Sequence, residues 1–195
     1  MSASAVVVLG GPNGAGKTTA APRLLRGTLR VEEFVNADTL AQGLSAFRPE
    51  AAAIEAGRIM LARLDHLESD RRSFAFESTL ASRTLAARLM RLKAAGYSVH
   101  IIYLWLPSVD LALARIAERV RAGGHDVPAD VVRRRLERGR RNFFTIFRPL
   151  ASTWRLYDAT SVGGPRLAGL GGSGRRTIVR DRSLWRQAAE EYLDE

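Results

Sequence analysis

Ala5-Val6-Val7-Val8-Leu9-Gly10-Gly11-Pro12-Asn13-Gly14-Ala15-Gly16-Lys17-Thr18-Thr19 decides the fold. The first five residues are apolar and β-branched, which reads as a short buried strand. A glycine-rich turn follows, and then a stretch that reads as a helix from about residue 16 to 25. The pattern G-x-x-x-x-G-K-[ST] is met without a mismatch from Gly11 to Thr18, in its proper context of strand, loop and helix.

Each residue type has a physical reason. Glycines at 11, 14 and 16 allow backbone conformations that side chains forbid, so that N–H groups converge on a phosphate. The helix N-terminus adds partial positive charge. Lys17 can reach the β- and γ-phosphates, and the Thr18 hydroxyl can ligate Mg²⁺. Residues Gly11, Pro12, Asn13, Gly14, Ala15, Gly16, Lys17, Thr18 and Thr19 are therefore the expected nucleotide-binding set, with ATP and Mg²⁺ as cofactors. The loop alone does not choose between ATPases, GTPases, kinases and motors.

Outward from the loop, strand-like and helix-like segments alternate. Strands are expected at Val31–Val35, Ser73–Phe76, Val99–Leu106, Trp154–Asp158 and Thr177–Val179. Helices are expected around Ile54, Leu61 and Leu64, around Leu85, Leu89 and Leu92, after Pro107-Ser108, from Asp130 to Phe147, and from Ser183 to Leu193. The Gly-rich stretch 163–174 reads as a flexible turn or hairpin. This alternation predicts a three-layer α/β/α sandwich with a mostly parallel sheet, a P-loop nucleoside triphosphate hydrolase fold of the nucleotide-kinase type. One domain is expected over 1–195, with a helical lid at about 110–147 and a C-terminal hairpin and helix at about 154–195.

Two strand ends carry acids. Asp38 follows the second strand in Asn36-Ala37-Asp38, and Glu77 ends the third in Phe76-Glu77-Ser78-Thr79. Residues just past the carboxyl ends of parallel strands line the ligand crevice. There, Asp38 could take the proton of an attacking hydroxyl; equally, it could cap the next helix. Glu77, Ser78 and Thr79 suit substrate hydroxyls or the water shell of Mg²⁺, or else form a turn cluster. No separate strand ends in the Asp of a motor ATPase, because Leu104-Trp105-Leu106 runs into Pro107. That favours a small kinase. Arg115, Arg119 and Arg121, with Arg133, Arg134 and Arg135 across the 123–128 loop, suit a lid whose arginines neutralise a transferring phosphoryl group. Arg119, Arg133 and Arg134 are the catalytic candidates beside Asp38 and Lys17. The Phe143-Phe144 pair and Phe147 read as core anchors for the basic helix, and His125 as a hydrogen-bonding loop residue.

Bulk properties set limits. The chain has 195 residues, 46% hydrophobic and 26% charged, and no cysteine. Disulfides and thiolate metal sites are thereby excluded, and a cytoplasmic location is expected. No apolar run approaches the roughly 20 residues that span a membrane. The net charge of +10 is almost all arginine, since Lys17 and Lys93 are the only lysines. Either a polyanion is bound or arginine has replaced lysine throughout; interspersed acids favour the second, so no nucleic-acid partner is expected.

The phosphate loop, Asn36-Ala37-Asp38, Phe76-Glu77-Ser78-Thr79 and Arg119-Val120-Arg121-Ala122-Gly123-Gly124-His125-Asp126-Val127-Pro128 together resemble the zeta-toxin-like kinases, in particular a bacterial branch described as predicted ABC-type ATPases. The resemblance spans roughly residues 5–160. It implies an ATP- and Mg²⁺-dependent kinase that phosphorylates the 3′-hydroxyl of a sugar nucleotide such as UDP-N-acetylglucosamine. Asp38 would be the base, Glu77 would contact the sugar nucleotide, and Arg119 with Arg133 or Arg134 would touch ATP. It also implies a possible antitoxin protein, although no neutralisation segment is recognisable. Two other readings remain open. One is another small-molecule kinase of nucleoside, antibiotic or shikimate type; the other is a non-catalytic ATP-dependent switch that binds nucleic acid through helix 130–147.

Overall fold

The computed structural model describes residues 4–29, 31–161 and 163–192. Its centre is a seven-stranded sheet: β1 (Ala5–Gly10), β2 (Glu33–Val35), β3 (Phe74–Ser78), β4 (Ser98–Trp105), β5 (Thr153–Asp158), β6 (Arg166–Gly172) and β7 (Arg175–Val179). The order is β2-β3-β1-β4-β5-β6-β7. The first five strands in that order run parallel, and β6 and β7 are antiparallel.

Alternation along β1 explains its composition. Val6 and Val8 enter one apolar cluster with Phe74, Phe76, Ile101 and Tyr103. Val7 and Leu9 enter another with Ala75, Ile102 and Leu104. Side chains of successive residues point to opposite faces, so a strand covered on both sides must be apolar throughout.

The helices are α1 (Lys17–Ala21), α2 (Ala37–Leu44), α3 (Ala53–Ser69), α4 (Thr84–Ala94), α5 (Val109–Arg121), α6 (Ala129–Asn142), the short α7 (Arg148–Leu150) and α8 (Arg182–Ala189). A wider π-helical stretch, Pro22–Leu29, continues α1, and another, Phe143–Phe147, continues α6. Ser108 caps α5 by accepting from Leu111 N at 3.2 Å. Phe143 and Phe147 are fully buried, and the Phe143 ring stacks on Tyr103 with centroids 4.5 Å apart. The expected anchoring of the basic helix is thus present. The α8 segment ends within the described residues, while Leu193 lies outside them.

Three stretches bear on the expected elements. Of the two readings of the Gly-rich stretch, the hairpin is the one present: most of the stretch is β6, which pairs antiparallel with β7. Glycine is required there because a Cβ at Gly169 would press on the Trp185 ring and one at Gly171 on the Trp154 ring. Those two indoles stack with centroids 5.7 Å apart. On α3 the buried residues are Ala56, Leu64 and Leu67, whereas Ile54 and Leu61 are exposed. Of the expected face only Leu64 is buried; the inward face runs through Ala56, Leu64 and Leu67. In the stretch expected to form a lid, each of the two helices contributes to the core. Ala112 and Ile116 of α5 and Val132 and Leu136 of α6 belong to the second core cluster. Both helices nevertheless reach the phosphate loop: Arg115 and Arg119 of α5 line its cleft, and Arg135 of α6 donates to Asn13 Oδ1.

Candidate functional site

The sheet order makes β1 the switch point. The chain leaves β1 for β2 on one side and later enters β4 on the other, and ligands bind outside the carboxyl end of such a strand. The glycine-rich loop sits there. Gly11 has φ 143° and its missing Cβ would lie 2.5 Å from the Leu104 carbonyl oxygen. Gly14 has φ 80° and would meet the Ala112 carbonyl oxygen at 2.7 Å. At these two positions both the dihedral and the space exclude any side chain.

Lys17 Nζ donates to the carbonyls of Gly11 and Pro12, each at 3.0 Å, so the ammonium lies inside the curl of the loop. Burial holds its pKa below the ordinary lysine value, against the opposing charges of Glu77 and then Asp38. A cleft of about 270 Å³ opens here, lined by the loop together with Asp38, Glu77, Arg115 and Arg119. The structure therefore brings together the loop, both strand-end acids and one of the three proposed arginines.

Asn36 resolves the ambiguity over Asp38. Its side-chain oxygen accepts from the backbone N–H groups of Asp38 (2.8 Å) and Thr39 (3.2 Å), which makes Asn36 the N-cap of α2. Its amide nitrogen donates to Thr18 Oγ1 at 3.2 Å. Asp38 is released from capping; its carboxylate is 55% exposed, at the mouth of the cleft, with His125 Nε2 4.0 Å away. His125, the expected loop residue, thus reaches across to the acid.

Glu77 stands on β3, directly beside β1 in register with Leu9. The Leu104-Trp105-Leu106 segment, which carries no acid, lies at the end of β4 on the other flank of β1. Burial raises the pKa of Glu77; Lys17 and hydrogen bonding from Thr18 and Asn36 pull it back, and the Asp38 charge adds to the rise. Its Oε1 is buried with no hydrogen-bond partner. Together with the Thr18 hydroxyl this is a pair of hard oxygen ligands, a donor set that fits Mg²⁺. On the opposite wall, Arg119 Nε is buried without a partner, while its Nη2 donates to the His125 carbonyl at 2.9 Å. A cleft with one unmet acceptor and one unmet donor suits a metal ion and an anion respectively.

Other residues take different places from those expected. Ser78 Oγ accepts from Leu80 N at 3.0 Å and Thr79 Oγ1 from Ala81 N at 3.5 Å, so both hydroxyls stabilise the turn after β3. Arg133 is exposed on α6. Arg134 is exposed, does not line the phosphate cleft, and lies 3.7 Å from Asp130. Arg135 is the α6 arginine that reaches the loop, donating to Asn13 Oδ1 at 3.3 Å. Its position follows from helix phase: Val132, Leu136 and Gly139 are the buried face, and 135 borders it while 133 and 134 do not. Arg115 donates to the Ala159 (2.7 Å) and Thr160 (3.0 Å) carbonyls, and so braces the loop after β5 beside the cleft. Among the described residues no group of three or more His, Cys, Asp or Glu could hold a metal by itself, and no helix is long and apolar enough to cross a membrane.

Comparison with known proteins agrees with this geometry. An uncharacterized protein of Haemophilus influenzae is 32% identical over 127 residues, covering 64% of this chain and 87% of the relative. A chain of the AvrRxo1-ORF1:AvrRxo1-ORF2 complex crystallised with ATP superposes with a TM-score of 0.74 at 18% identity. That match covers 97% of this chain but only 64% of the other, so the protein spans under two thirds of that neighbour's length. The PezAT toxin–antitoxin system of Streptococcus pneumoniae gives a TM-score of 0.60 at 17% identity, covering 81% of this chain and 69% of that one. At these identities the superpositions establish the fold, an α/β P-loop fold shared with kinases. A family model described as an AAA domain, AAA_33, matches residues 6–146, and the chain belongs to that family as a nucleotide-binding P-loop domain of kinase-like fold.

Proposed function

We propose that this domain is an ATP-dependent kinase that transfers the γ-phosphoryl group to an alcohol hydroxyl. The observation that carries the reading is the division of labour at the start of α2. Asn36 does the capping, and the Asp38 carboxylate, with His125 nearby, is left out of the cap at the mouth of the phosphate cleft. A helix cap alone would need only one of these residues.

In this reading the loop N–H groups and Lys17 bind the β- and γ-phosphates, and Arg119 neutralises charge on the transferring group. Thr18 and Glu77 would hold Mg²⁺, which supplies charge compensation for the phosphate oxygens. Asp38 takes the proton of the acceptor hydroxyl as its oxygen bonds to the γ-phosphorus. The bond between that phosphorus and the β–γ bridging oxygen breaks, and ADP leaves with the electron pair. The 122–128 connection, held by the Arg119–His125 hydrogen bond, helps keep water from the γ-phosphate.

The acceptor reading follows the resemblance to zeta-toxin-like kinases: a sugar nucleotide such as UDP-N-acetylglucosamine. The toxin–antitoxin context of the PezAT neighbour supports adding an antitoxin to the proposed partners. The test is Asp38→Ala, assayed against a panel of sugar nucleotides, nucleosides and small alcohols with mass readout. Transfer should fall by at least about a hundredfold, the scale of a positioned base, while binding of an ATP analogue persists. Undiminished transfer by the variant would remove Asp38 from the mechanism.

A further inference from the structure

We infer that the protein carries a docking surface for an acidic, extended segment of a partner protein, which adds as a strand to the open edge of β7 and sets a carboxylate on Arg148 in the cavity beside it. The surface lies away from the phosphate loop, and the inference does not depend on the kinase reading. β5 runs from Thr153 to Asp158 in parallel with β4, and β6 returns antiparallel, with Arg166 opposite Asp158 and Gly171 opposite Trp154. The turn between β6 and β7 therefore lies at the amino-terminal end of the parallel strands. The phosphate loop lies at their other end, after β1.

The edge is open. β7 is last in the sheet order, so one side of its backbone has no strand beside it among the described residues, and all five of its residues are exposed. Alternate N–H and C=O groups on such a side point outward and can pair with another chain. Between the pairs Ile178–Leu170 and Arg175–Gly172, β7 has one residue more than β6, a bulge of the kind that re-aims side chains. Arg175 and Thr177 both line a cavity of about 520 Å³ beside the strand.

Arginines and a bulge also blunt a strand edge against unwanted pairing, which is the alternative account of β7. That account does not reach Arg148, which lines the same cavity from another element. Its guanidinium carbon lies 5.9 Å from the Phe144 ring centre, 5.4 Å from that of Trp154 and 5.7 Å from that of Trp185. Burial holds its pKa below the ordinary arginine value. Aromatic faces attract the cation from above and below its plane, while the N–H fork in the plane is the part that binds a carboxylate bidentately. Neither Arg148 nor Arg175 has a carboxylate partner among the described residues. Elsewhere Arg63 and Arg72 share Glu33, Arg88 and Arg91 share Glu68, and Arg166 holds Asp158.

Charge selects the occupant. Arg148 and Arg175 in the cavity, with Arg176 and Arg180 along the strand, call for an acidic partner. A second copy of this chain would set arginines against arginines, and like charges facing each other across paired strands are destabilising. A nucleic acid would satisfy the arginines but would leave the backbone edge unpaired and the exposed side chains of Ile178 and Val179 uncovered. An extended peptide serves all three: its backbone pairs with the edge, its acids meet the arginines, and its apolar residues cover Ile178 and Val179.

The test titrates the whole chain, at low salt, with a fluorescently labelled peptide of about ten residues, alternating glutamate and valine with blocked ends, read by anisotropy. The peptide should bind at one site. Arg148→Gln and Arg175→Gln should each weaken binding by at least about fivefold and leave the affinity for an ATP analogue within about twofold. Methylating the peptide's backbone nitrogens removes its N–H donors and keeps its charge, and should weaken binding by at least about tenfold. If Arg148→Gln lowers Tm, Arg175→Gln, on an exposed strand, decides alone. No binding, binding indifferent to the arginine variants, or equal binding of the methylated peptide overturns the inference. So does an RNA oligonucleotide that binds more tightly than the peptide through the same two arginines. Binding that appears only after removal of Leu193, Asp194 and Glu195 assigns the surface to the chain's own acidic end, and self-association that the peptide displaces assigns it to a second copy; either result overturns the partner proposed here.

Discussion

Replacing Glu77 by Gln should stabilise the nucleotide-free protein at alkaline pH, an unusual result for a residue inside a binding cleft. The cause is burial. A buried polar atom without a partner costs about 1–3 kcal/mol, and Glu77 Oε1 is such an atom. Lys17 and hydrogen bonding from Thr18 and Asn36 offset part of this, yet the carboxyl pKa remains raised. Between the ordinary carboxylate range and that raised value, the folded protein keeps a proton that the unfolded chain has released. Stability therefore falls as pH rises through this window, and the penalty is complete above it. Glutamine keeps a polar group there but removes the charge, and with it the part of the penalty that grows with pH. A net gain of about 1 kcal/mol is expected at pH 8, which raises Tm by about 2–4 °C in a chain of this size. The gain should shrink toward zero as pH falls to the ordinary carboxylate range. Thermal denaturation of both proteins across that range is the assay. A second arm adds an ATP analogue with Mg²⁺, which should stabilise the parent more than the variant. A variant less stable than the parent at pH 8 without nucleotide, or a difference independent of pH, would refute the reasoning.

Asn36→Ala removes the acceptor for two backbone N–H groups of α2 and the donor to Thr18, and should cost about 1–2 kcal/mol in denaturant unfolding. Asn36→Asp keeps the cap and should lose less stability, while placing another carboxylate near Glu77; equal losses in the two variants would contradict the capping role. Gly139→Ala forces α6 off the Thr79 carbonyl and should cost about 1–3 kcal/mol, read as a lowered Tm. An alanine accepted there without loss would mean that the α6 contact is not as tight as the structure has it.

Much of the site was legible because two periodicities coincide. A parallel sheet places every strand's carboxyl end on one side, so the apolar runs before Gly11, Asn36 and Glu77 were enough to gather the loop, Asp38 and Glu77 around one cleft. What escaped depended on choices that the residues state only weakly. Strand order is not written in any one segment, so the fact that Glu77 stands directly beside β1, in register with Leu9, is visible only in the sheet. Arg133, Arg134 and Arg135 differ only in helical phase, which the spacing of Val132, Leu136 and Gly139 encodes once Gly139 is recognised as a buried contact. The capping role of Asn36 was signalled by its place two residues before Asp38, an arrangement in which its side chain can reach the next free N–H groups. The glycines of β6 leave turn and hairpin both open in the sequence, because their reason for being there, the Trp154 and Trp185 rings, comes from outside the segment.

The central claim is that Asp38 faces the γ-phosphate of bound ATP as a base. A crystal structure with a non-hydrolysable ATP analogue and Mg²⁺ tests it most directly. The account predicts the γ-phosphate within hydrogen-bonding distance of Lys17 Nζ and Arg119 Nε, the metal on Thr18 Oγ1 with Glu77 in its ligand or water shell, and the Asp38 carboxylate on the open side of the γ-phosphorus. A carboxylate turned away from that phosphorus, with no space between them for an acceptor hydroxyl, would contradict it.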